Sequence, residues 1–74
     1  MPKSQINIQD QFLNQLRREE ISVIIYFNDG KNLEGIIKGF DNFSILLDNG
    51  SHNLIYKHAV AYIAPSKRMH ILRS

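Results

Sequence analysis

The chain has 74 residues, 43% of them apolar and 22% charged, with a formal net charge of +2 and no cysteine. That length makes one domain near the lower limit for folding on a single core, and the composition is too apolar for a disordered chain. Disulfide staples and thiolate metal sites are excluded, so association between copies is the expected remedy for a thin core.

Residues 1–6 read as a polar arm. The opening "MPKSQINIQDQ" has no apolar stretch of signal-peptide length, and runs such as Val23 to Phe27 are too short to cross a bilayer. A cytoplasmic protein without a membrane partner is expected. From Asn7 the pattern changes. Ile8, Phe12, Leu13 and Leu16 fall on one face of an amphipathic helix over about 8–18. Asn7 suits the N-cap, Asp10 the positive end of the dipole, and Arg17 and Arg18 the last turn.

After Ile21 the chain turns to strand formers. "ISVIIYFN" stops at Asp29-Gly30, a tight-turn signal, and "NLEGIIKGFD" follows with Gly35 and Gly39 inside a strand-like run. Interior glycines of this kind mark a bulge or a sharp bend. "FSILLD" ends at Asp48-Asn49-Gly50, and "NLIYKH" and "VAYIAP" complete five strands over about 21–64. Residues 67–74 form a short tail. The fold class is mainly β with one N-terminal helix: a small, strongly bent five-stranded barrel of the Sm or SH3 type. Its fourth and fifth strands have few edge guards beyond Lys57, and pairing between neighbouring subunits around a ring would close them.

Lys57 and His58 interrupt the run "NLIYKHAVAYIAPS". At the tip of a hairpin they would simply be solvated; otherwise they are aimed at something negative. Phe43 is equally open, either as a core residue starting a strand or as an exposed ring. His52 and His70 carry no motif and are expected in solvent.

The segments "NIQDQFLNQLRREE", "GFDNFSILLDN" and "LIYKHAVAYIAPS" together decide the matter. The chain resembles the Hfq family of bacterial Sm-like RNA chaperones from about Asn7 to Ser66. The resemblance implies a Sm-like domain over 7–66, a homohexameric ring and single-stranded RNA as partner, small regulatory RNAs and mRNAs included. It implies no cofactor and no metal. The helix-bearing, proximal face would bind U-rich RNA through Gln9, Asn42, Phe43, Lys57 and His58. Phe43 would stack on a base, the amides and Lys57 would meet base edges, and His58 would reach ribose or phosphate. Asp41 and Tyr56 would be structural, satisfying backbone or inter-subunit hydrogen bonds.

Two further faces follow from the resemblance. Asn14, Arg17 and Arg18 would form a rim patch that helps RNA strands anneal. Glu19 and Glu20 follow at once and blunt its field, so weak annealing is expected. The distal face would read A-rich RNA through Tyr26, Gly30, Lys31 and Asn53. Lys31 stands where Ile or Phe is usual, Glu34 and Asn53 where Gln is common, and Tyr62 where Thr is common. Distal binding is expected to be retained with an altered motif, with its loss as the alternative. An enzyme is not, since no phosphate loop, HExxH or activated nucleophile is present. The alternative is an SH3-like barrel that binds protein segments. Three tyrosines and four phenylalanines without tryptophan make a poor groove for that purpose.

Overall fold

The computed structural model describes residues 7–68. Helix α1 (Ile8–Arg18) leads into β1 (Ser22–Phe27), β2 (Asn32–Phe40), β3 (Ser44–Asp48) and β4 (His52–Tyr56). A single 3-10 turn, η1 (Lys57–Ala59), then connects to β5 (Val60–Pro65). The polar arm and the tail from Met69, His70 included, lie outside the described residues. Among those residues, no helix is long and apolar enough to cross a membrane.

Helix α1 starts where its chemistry says it should. The Asn7 side chain accepts from the Asp10 amide at 3.1 Å, satisfying one of the free donors of the first turn. Leu13 and Leu16 are buried and Phe12 packs beside them, whereas Ile8 stays exposed. The buried stripe therefore begins one turn later than the periodicity places it. At the other end the Ile21 amide donates to the Leu16 carbonyl at 3.1 Å. Glu20 takes a left-handed φ of 52° there, a conformation common at helix ends but uncommon for a side-chain-bearing residue.

All five strands are antiparallel, in the order β4-β3-β2-β1-β5. Alternation fills the core: Val23 and Ile25 of β1, Ile37 of β2, Ile45 and Leu47 of β3 and Ile55 of β4 face inward onto Leu13, Leu16 and Ile21. Each such side chain contributes roughly 1.5–3 kcal/mol by burial. The sheet bends at register shifts between Ile37 and Gly39 and between Tyr26 and Phe27. Gly35 is required by proximity, because a Cβ there would lie 2.7 Å from the Asp48 carbonyl oxygen. Gly30 is required by its φ of 91° in the β1–β2 turn.

The topology bears on one of the two open readings of Lys57 and His58. Sequence order invites a hairpin between the fourth and fifth strands, with Lys57 and His58 at its tip. Instead β5 pairs with β1, and η1 carries the chain from one edge of the sheet to the other. Of the two residues, Lys57 is half-buried there, while His58 stays exposed to solvent.

Candidate nucleic-acid interface

The loop after β2 is built around Asp41. Its Oδ1 accepts from the Phe43 amide at 2.9 Å, the Ser44 amide at 2.8 Å and the Ser44 hydroxyl at 2.9 Å. Chiefly the Phe43 amide, then the Ser44 hydroxyl and amide, hold the Asp41 carboxyl below its ordinary value of 3.8; the positive charge of Lys57 adds to this. Above the ordinary carboxylate range the folded chain gains from the ionised group, and the gain disappears as pH falls through the lowered value. The melting-temperature gap between the parent and Asp41→Asn should therefore be full at neutral pH and close in acid. A gap independent of pH would count against this role.

The tight loop leaves Asn42 exposed and pushes Phe43 out, 76% exposed and ahead of β3 rather than inside it. Hydrogen bonding ties η1 to the same loop, since the Lys57 amide donates to the Phe43 carbonyl at 2.8 Å. Asn28 holds the turn from the other side through the His58 and Ala59 carbonyls, each at 2.9 Å. His58 lies against Tyr56, with ring centroids 6.1 Å apart.

Lys57 is the unusual member. Its Nζ is withdrawn from solvent without a hydrogen-bond partner among the described residues, 5.5 Å from the centre of the Phe40 ring. A ring face recovers only part of what an ammonium loses on leaving water. Lys57 lines a cleft of about 260 Å³ with Gln9, Phe12 and strand β5. Lys57 and His58 on η1 are thus tied to the 41–44 loop, and Gln9 shares the cleft of Lys57.

The rim residues divide. Arg17 donates through Nη2 to the Asn14 side-chain oxygen, and both line a cleft with Asp10, Lys38, Gly39 and Phe40. Arg18 faces a separate groove with Gln11, Asn14 and Gln15. Sequence reading missed Lys38 and Phe40, which lie some twenty residues away on β2. No linear signal links them to the helix.

The distal set divides as well. Tyr26 stacks on Tyr62 across β1 and β5, centroids 4.5 Å apart and rings 21° from parallel. Gly30 and Lys31 sit in the adjoining turn, where the Lys31 amide donates to Asp29 Oδ1 at 3.0 Å. Glu34 lies further along β2, with Ser22 Oγ 3.5 Å from its carboxylate. Asn53 is elsewhere. Its amide donates within the β3–β4 turn, to Asn49 Oδ1 and the Ser51 carbonyl at 3.1 Å each. Strands β3 and β2 separate it from Tyr26 within one chain. His52 is exposed, as expected.

A helix laid on a bent, antiparallel five-stranded sheet with both edge strands open defines a small Sm-like domain. The family profile described as "Hfq protein" matches residues 8–70, and the chain belongs to the Hfq family. It is 49% identical over 73 residues to the RNA-binding protein Hfq of Ruminiclostridium cellulolyticum, covering 97% of this chain and 91% of that one. It is 55% identical over 69 residues to the RNA-binding protein Hfq of Geobacillus kaustophilus, covering 92% of each. Among solved structures it is similar to a crystal structure described as the pleiotropic translational regulator Hfq. That match has a TM-score of 0.76 and 32% identity, over 78% of this chain and 98% of the other. An Hfq protein from Anabaena sp., 22% identical with a TM-score of 0.74, shares the fold.

Proposed function

We propose that this protein is a cytoplasmic RNA chaperone that binds single-stranded RNA as a homohexameric ring and promotes pairing of small RNAs with mRNAs. The observation that carries the reading is the Lys57 ammonium. It is desolvated and lacks a hydrogen-bond partner among the described residues, and the Lys57 amide is bonded to the backbone of the exposed Phe43. Pyrimidine carbonyl oxygens would complete its coordination while Phe43 stacks on a base. Gln9 and Asn42 would read the base edge, and His58 would meet ribose or phosphate. U-rich RNA is the expected ligand of this face.

The ring reading is supported by the edges. β4 presents exposed Leu54 and Tyr56 at one end of the sheet, and β5 is open at the other. Pairing β4 of one subunit with β5 of the next would close both, with Tyr56 at the seam. It would also bring Asn53, on β4, beside the Tyr26–Tyr62 stack of the neighbouring subunit, assembling an A-rich site that a lone chain leaves divided.

Native mass measurement, with titration of labelled oligo-U and oligo-A at two salt concentrations, tests the proposal. A hexamer is expected, with affinity falling steeply with salt as phosphate contacts release counterions. A monomer indifferent to RNA would overturn it. In the same assay Tyr26→Ala should weaken oligo-A by about fivefold or more, a stacking contribution, and leave oligo-U unchanged. Loss of oligo-U binding instead would exchange the two faces.

A further inference from the structure

Lys38 is the residue that the β2 bulge sets apart. The pairing of β2 with β3 passes from Ile37–Leu47 directly to Gly39–Leu46, leaving Lys38 without a partner in the ladder. Bulges re-aim the side chains they carry. Here Lys38 Nζ comes to 3.6 Å from Glu20 Oε2, at the C-terminal end of α1. Glu20 is the residue with the left-handed backbone, so the turn closing the helix and the bulge together create the contact.

The same Lys38 lines the cleft of about 490 Å³ between α1 and β2 that holds Arg17, Asn14 and the Phe40 ring. Two cations, an amide and an aromatic ring face one carboxylate there, Asp10. Gly39 adds no side chain to the wall. This is chemistry for a nucleotide: phosphate on the cations, a base or sugar against Phe40. The Lys38–Glu20 pair is no fixture. Its side chains are 40% and 66% exposed, and pairs of that kind are weak and readily screened. A doubly ligating phosphate is the stronger partner for an ammonium beside a guanidinium.

We propose that Lys38 is a third phosphate-binding cation of the lateral face, and that Glu20 competes with RNA for it. The inference rests on the RNA-binding reading above and changes its balance of charge. Counted along the chain, Arg17 and Arg18 are offset by Glu19 and Glu20. In the fold, Lys38 shares a cleft with Arg17, and Glu20 is the group an arriving strand displaces. Two RNA strands approaching one another are polyanions, so a cation that RNA can recruit lowers their repulsion where they meet.

The test is a strand-annealing assay with two complementary labelled RNAs and the full-length assembled protein, as parent, Lys38→Ala, Glu20→Gln and the double variant. Lys38→Ala should slow annealing about threefold to tenfold and reduce the salt slope of RNA binding by about one per site. Glu20→Gln should speed annealing about twofold to fivefold, the range an exposed ion pair allows. The double variant should match Lys38→Ala, because Glu20 acts through Lys38. Lys38→Ala annealing at the parental rate, with only its melting temperature lowered, would make the pair a structural contact and overturn the proposal. Acceleration by Glu20→Gln that survives in the double variant would overturn it too, since Glu20 would then act by net charge alone. A parent that neither binds nor anneals RNA removes both readings, whereas an active parent with indifferent variants removes only this one.

Discussion

Replacing Leu54 and Tyr56 together by aspartate is expected to break the proposed hexamer into monomers and to lower oligo-U affinity by about 10²–10⁴, the scale of an avidity term. Both side chains lie outside the core cluster on the edge strand β4, 58% and 54% exposed, so the core of the domain is left intact. At a seam between subunits, the same positions would bury two carboxylates without partners. Each would cost several kcal/mol, and a closed ring repeats the cost at every seam. Native mass and oligo-U titration check the outcome, with an unchanged circular-dichroism spectrum showing the domain intact. A variant that keeps the hexameric mass would move the seam away from β4.

The second large effect concerns Phe43 and Lys57. Phe43→Ala removes a ring that contributes nothing to the core, so stability should hold while oligo-U affinity falls about fivefold to 150-fold, as base stacking of 1–3 kcal/mol implies. Lys57→Met keeps an apolar stem and deletes only the ammonium, which lies over the Phe40 ring and has no hydrogen-bond partner to lose among the described residues. Oligo-U affinity should drop about tenfold or more, the scale of a charge-assisted hydrogen bond, while the variant melts at or above the parental temperature. Both variants should remain hexameric and bind oligo-A normally. If both hold oligo-U like the parent, the U-rich face lies elsewhere.

Much of this architecture was legible in the chain because its signals are local. The Asn7 cap, the Leu13 and Leu16 stripe, the Asp29-Gly30 turn and the strand-forming runs of β1 and β3 each act within a few positions. What escaped depends on distant partners. That β5 returns to β1 is a choice of topology, and adjacency in sequence pointed to a hairpin instead. Phe43 could be read as core until the three hydrogen bonds to Asp41 turned it outward. Lys38 looked like any strand lysine, since only the register slip beside Gly39 releases it toward the helix. Asn53 stands where the family commonly has Gln, yet its amide is taken up by its own turn, and in the proposed ring the strand that would complete its site would come from another copy.

The short link η1 has one more consequence. It joins the two open edges of the sheet, and it also carries the Lys57 ammonium and the His58 ring. In the proposed assembly, a nucleotide gripping η1 would steady the span between one seam and the next. Occupancy and association would then be thermodynamically linked: diluting the oligomer would release its ligand, and saturating ligand would hold a sparse population together, by the same factor in either direction.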